Sequence, residues 1–215
     1  MSRDALDVRP AYLTLGMQVV TLITQPSVTR LWTRPSVLPD MSVGALAGHT
    51  ARALLIVEEF LEGPDPVAPD PVDASAYYAR VRGLADRTSE ANRGILERAV
   101  TRASEGPASL VLRVTDCLER LAGRLATESP QRQIVARGDA MFLDEYLRTR
   151  LVEMSVHLED LALSAELTPP EIVETVLVDA VAVLLGTARA RHGQAAVLRA
   201  LTRRERDTVD ALRVI

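Results

Sequence analysis

Lysine is absent from this 215-residue chain, so all 25 of its basic residues are arginine, a usage that fits the codon bias of a GC-rich genome. A single cysteine, Cys117, excludes an internal disulfide framework and any cysteine-rich zinc site. A metal, if one is bound, must be held by histidine and carboxylates. Aromatic residues make up only 3%, so the core must come from Leu, Val and Ala, which suit close helix packing better than aromatic-rich strands. A formal charge of −4 and the lack of basic clusters interleaved with aromatics argue against a nucleic-acid partner. The opening MSRDALDVRPAYL has no basic segment leading into an apolar core, and no run of about 18 apolar residues follows anywhere, so a cytoplasmic protein without a membrane span is expected.

What is present reads as one all-α domain over 1–215. Apolar residues at helical spacing (Tyr12, Leu15, Val19, Leu22) predict a helix from 4 to about 25, followed by a proline-punctuated loop through Asp40. Asp40 or Ser42 caps a second helix to about Glu62, and the prolines from Pro64 onward stop it. Residues 74 to about 104 read as helical and Gly106-Pro107 as a turn, with a further helix from Ala108 to about Glu128. Cys117 lies on that helix's apolar stripe with Leu110, Val114, Leu118, Leu121 and Leu125, which predicts a buried thiol, not a reactive one. A short β-hairpin fits 131–143, turning at Gly138-Asp139. Asp144 is predicted to cap a long helix to about Glu166, and Thr168-Pro169-Pro170-Glu171 to open another, closed by His192-Gly193 with His192 as a partner of the helix dipole. The tail gives a short helix, and its last residues, Leu212 to Ile215, dock as an extended segment.

On the helix after Asp144 the residues advance about 100° each. Leu143, Leu147, Leu151, Met154, Leu158 and Leu161 form one apolar flank, Val152 and Val156 the other, and Arg148 and Glu159 mark the solvent side. Between the flanks runs a polar strip of Tyr146, Arg150, Glu153, His157, Asp160 and Ser164. A carboxylate facing inward is costly unless paired, hydrogen-bonded or bound to a cation. An Arg150–Glu153 ion pair is one explanation. A metal is the other, because His49 falls on the inward stripe of Leu46, Ala53, Ile56 and Phe60 of the second helix. Glu153 and His157, one turn apart, together with His49 then supply three ligands to one divalent ion.

The stretch from Trp32 to His49, WTRPSVLPDMSVGALAGH, resembles the N-terminal signature of the mycothiol-dependent maleylpyruvate isomerase family, one of the DinB-like metal-binding bundles. The stretch from Asp144 to Asp160, DEYLRTRLVEMSVHLED, resembles the family's Arg-x-x-Glu-x-x-x-His-x-x-Asp segment. The resemblance covers about residues 8–166 and leaves 167–215 as a C-terminal helical extension. It implies a four-helix bundle whose His49, Glu153 and His157 hold a divalent ion, zinc or nickel, with an open position for the thiol cofactor mycothiol.

Three protein ligands leave a tetrahedral ion one position for a water or thiol. Asp160 is placed to orient His157 or His49, and Tyr146 and Arg150 to hold polar groups of the cofactor or an anionic substrate. The expectation is a mycothiol-using thiol transferase or isomerase acting on an electrophilic or small organic-acid substrate, as a monomer or homodimer. The alternatives are a non-catalytic metal- or small-ligand-binding stress protein on the same bundle, and a structural helical module without metal.

Overall fold

Proline and glycine cut the chain into nine helices and one hairpin among the residues described by the computed structural model, which are 6–81, 83, 88–207 and 209–214. Helix α1 (Val8–Ile23) ends just before Pro26, which opens a short α2 (Pro26–Arg30) inside the stretch predicted as loop. Helix α3 (Val43–Glu62) starts at Ser42, whose Oγ accepts from the Ala45 amide at 3.1 Å; of the two predicted caps, the serine is the one used.

The helical stretch predicted from 74 to 104 is two helices, α4 (Ala74–Arg80) and α5 (Glu90–Ala103), each capped by its own Asp73 or Ser89 side chain. Val81 leaves α4 extended and Gly83 takes φ +82°, a left-handed conformation that ends a helix; residues 82 and 84–87 of the predicted span lie outside those described. Helix α6 (Gly106–Thr127) includes the predicted Gly-Pro turn in its first residues, where a proline costs no hydrogen bond.

The hairpin exists as β1 (Gln133–Ala136) and β2 (Asp139–Phe142), antiparallel with Ala136 opposite Asp139. Its turn is Arg137-Gly138, one residue earlier than predicted, and both residues have positive φ (53° and 88°), as a two-residue hairpin turn requires. Helix α7 (Leu143–Ser164) follows at once. Asp144 sits in its first turn and does not cap it: its carboxylate accepts from Arg9 Nε at 2.7 Å. Helix α8 (Glu174–His192) begins three residues after the predicted Thr168–Glu171 start. A proline disfavours helical backbone in the residue before it, and the Glu171 carbonyl accepts from the Gln18 side chain. His192 lies in the last turn of α8 with Arg189 and Arg191, as expected, and Gly193 at φ 80° leads into α9 (Gln194–Thr202). Of the tail, Val214 is buried, Leu212 lies in a turn, and Ile215 is outside the described residues.

Helices α1, α7, α3 and α6 pack in a ring as a four-helix bundle around one core. The predicted stripes of α1 and α6 face inward, Leu118 only partly buried, and Cys117 is fully enclosed. Helix α5 lies against α3, and α8 covers α4 and one side of α7. That cover corrects two wheel positions. Arg148, predicted on the solvent side, pairs with Asp179 of α8, while Val156, predicted on the second apolar flank, is exposed. No helix among the described residues is long and apolar enough to cross a membrane.

Candidate metal centre

The loop before α3 fixes where His49 points. Hydrogen bonds from Gly44 N to Trp32 O (2.8 Å) and Val43 N to Arg34 O (2.9 Å) fasten the helix start to the Trp32 segment. A Cβ on Gly44 would lie 2.5 Å from the Trp32 ring, so glycine alone lets the indole seat there. One turn on, His49 faces α7, where Glu153 and His157 stand one above the other.

The three side chains converge. Nε2 of His49 and Nε2 of His157 are 3.0 Å apart, and Glu153 Oε2 lies 3.9 Å from the first and 3.7 Å from the second. The point equidistant from the corners of that triangle is about 2.1 Å from each, the bond length zinc makes to imidazole nitrogen and carboxylate oxygen. Among the described residues this is the one His/Cys/Asp/Glu group compact enough to hold an ion.

Two of the three side chains have a support of their own. His157 Nδ1 is 3.0 Å from Asp160 Oδ2, which leaves Nε2 to face the site, so of the two predicted partners Asp160 orients His157. Tyr78 of α4, a residue no sequence signal singled out, donates to Glu153 Oε1 at 3.0 Å and lies 2.9 Å from Thr149 O. It holds one carboxylate oxygen away and leaves Oε2 to the site. Ser164, the last member of the strip, accepts from the Val37 amide and donates to the main-chain carbonyl of Asp160, not to the site.

Electrostatics agree with this division. Burial, helped by the field of His157, lowers His49 to about 4, so it is neutral at physiological pH. Burial also opposes charge on His157, but the Asp160 and Glu153 carboxylates outweigh it and raise that ring to about 9. The pair therefore shares one proton, donated by His157 to neutral His49. For Glu153, burial alone would raise the carboxyl; His157 and Arg150 outweigh it and hold it well below the usual carboxylate range.

The proposed Arg150–Glu153 ion pair does not form. The Arg150 guanidinium lies over the Tyr146 ring, 4.8 Å from its centroid, and Nε donates to Thr149 Oγ1 at 3.0 Å. Tyr146 in turn meets Phe60 edge-on at 5.1 Å. Arg150, Tyr146, Phe60 and the three converging donors line one cavity of about 130 Å³, also bordered by Tyr77 and Tyr78. Four further arginines line it: Arg52, Arg98, Arg102 and Arg137. Sequence reasoning missed them, although Arg98 and Arg102 are spaced one helical turn apart.

Fold and site together define a class: a helical bundle with two imidazoles and a carboxylate converging closely enough that they could hold one divalent ion. Residues 18–162 match the mycothiol maleylpyruvate isomerase N-terminal domain, and the chain belongs to that family. No curated protein and no solved structure matches it.

Proposed function

We propose that this protein is a mycothiol-using thiol transferase or isomerase that works with a divalent ion, zinc first and nickel second, held by His49, Glu153 and His157. The observation that carries the reading is the triangle of donors whose equidistant point sits about 2.1 Å from each and opens on a cavity. The family name supplies the thiol. A divalent ion there would lend Lewis acidity, holding a thiol as its thiolate near neutral pH.

The chain's own residues do the rest. Neutral His49 presents a lone pair without first losing a proton, whereas His157 gives up the proton the two rings share. Asp160 fixes the tautomer of His157, and Tyr78 keeps Glu153 to one oxygen. Tyr146, Phe60 and Tyr77 exclude water from one wall of the cavity, and Arg150 faces it with a positive charge. No cysteine reaches the cavity, since Cys117 is enclosed in the core and burial, reinforced by Glu58, raises its thiol to about 12. The attacking sulfur therefore comes with the cofactor.

Metal analysis of protein purified without added metal tests the first half, with about one ion per chain expected. His49→Ala and His157→Ala should each lose most of it, and full stoichiometry in both variants removes the reading. Titration with mycothiol and with its hydroxyl analogue tests the second half. The thiol should bind much more tightly and release a proton, seen by calorimetry in two buffers of different ionisation enthalpy. Equal binding without proton release leaves a non-catalytic ligand-binding protein on the same bundle.

A further inference from the structure

Several arginines outside the cavity pair with a carboxylate: Arg9 with Asp144, Arg80 with Asp139, Arg113 with Glu105, Arg120 with Glu58, Arg148 with Asp179. Inside it the charges stand together. Arg52, Arg98, Arg102, Arg137 and Arg150 line it against one carboxylate, Glu153, and among the described residues none of the five has a carboxylate oxygen within 4.0 Å. The chain as a whole carries −4, so this concentration of positive charge is local and opposite in sign to the molecule.

The fold forces the arginines together. Gly48 of α3 has no side chain where α5 crosses: a Cβ there would lie 2.9 Å from Ala99 O and 3.1 Å from Arg102 Cβ. Helix α5 therefore comes close against α3 and brings Arg98 and Arg102, on one face at i and i+4, up to Arg52. The hairpin turn adds Arg137 from a third direction. Burial and then the charge of Arg52 depress both Arg98 and Arg102, so these guanidiniums sit within one another's fields. Arg150, 8% exposed and with no carboxylate oxygen within 4.0 Å among the described residues, carries the same charge to the inner end, within the field of Glu153. Mutual repulsion of this kind costs stability unless an anion relieves it.

We propose that the arginine cluster of α3, α5 and the hairpin turn is a phosphate-binding subsite, so that the substrate is a small phosphorylated molecule. A carboxylate offers two oxygens in one plane and is matched by a single guanidinium fork. Arg52, Arg98, Arg102 and Arg137, reaching in from three elements, match a group with three terminal oxygens and two negative charges, a phosphate monoester. The phosphoryl group sits at the cavity mouth and the rest of the molecule reaches inward past Arg150. Only what it meets there, the metal-held thiol, rests on the function proposed above.

The test is calorimetric titration of the full chain, at low ionic strength, with inorganic phosphate and separately with succinate. Phosphate should bind saturably and at least about tenfold more tightly than succinate, and Arg52→Gln and Arg98→Gln should each weaken it about tenfold. Arg204→Gln, at an exposed position away from the cavity, should change nothing. His49→Ala, which removes an ion ligand, should still bind phosphate, so failure of the metal reading leaves this result standing. Succinate binding as tightly as phosphate, or neither binding, overturns the proposal. So does phosphate binding that survives both arginine changes but disappears in His49→Ala, which would put the anion on the ion.

Discussion

Removing one oxygen atom, by Tyr78→Phe, should loosen the metal without touching a ligand. The hydroxyl lies 3.0 Å from Glu153 Oε1 and 2.9 Å from Thr149 O, and it has one hydrogen to share between them. A hydrogen bond to a charged acceptor contributes about 1.5–3 kcal/mol. Sharing lowers that to about 1–2 kcal/mol, or roughly 5- to 30-fold in affinity, overlapping the lower part of the roughly 10- to 100-fold range found when partners of metal ligands are removed. The ring is 2% exposed and phenylalanine keeps its shape, so packing should survive. Zinc affinity is read by competition with a chromophoric chelator. Tyr77→Phe is the control, because Tyr77 lines the same cavity and its hydroxyl has no hydrogen-bond partner among the described residues. It should stay within about twofold of the parent. If Tyr78→Phe also stays within twofold, the hydroxyl does not hold Glu153, and the support assigned to it is wrong.

Two further outcomes follow from the shifted groups. Because the carboxylates overcome burial and raise His157 to about 9, an ion must displace its proton at neutral pH, so metal affinity should climb about tenfold per pH unit toward pH 9 and then level. The same raised value stabilises the metal-free fold below about pH 6.5 and is lost as pH rises through about 9, so the gain in Tm on adding metal should grow across that window; a gain independent of pH refutes the assignment of the shared proton. Cys117→Ser should leave thiol-dependent activity intact while lowering Tm modestly, and the native thiol should resist alkylation, since it is enclosed and raised to about 12. Loss of activity in a folded, metal-loaded Cys117→Ser protein would show that the residue does more than pack.

The convergence of His49, Glu153 and His157 was legible because helical spacing is local physics. Once α7 was read as a helix, Glu153, His157 and Asp160 had to share a strip, and the stripe of α3 sent His49 into the same core. Positions that depend on what packs across a helix were not legible. Arg148 belongs to the solvent side of an isolated wheel, and it is α8 that gives it a partly buried ion pair. Tyr78 rides on a seven-residue helix too short to show a period, and its partner is 75 residues away. The arginine cluster was hidden for the same reason, because Gly48 decides how close α5 comes and no pattern within α5 records that. Asp144 shows the limit of capping rules. It was free to cap α7, but Arg9, 135 residues earlier, takes its carboxylate.

The clasp around α4 carries a further consequence. The family match ends at residue 162, yet Arg191 on α8 reaches back to the carbonyls of Tyr78 and Val81 and forward to that of Val214, while Ser75 and Thr187 tie the same two helices together. The boundary drawn by homology is therefore not a mechanical boundary. A fragment cut where the match stops would keep all three converging side chains and lose the helix that fastens Tyr78, and with it the hold on one oxygen of Glu153. The last quarter of the chain thus steadies a carboxylate it never touches.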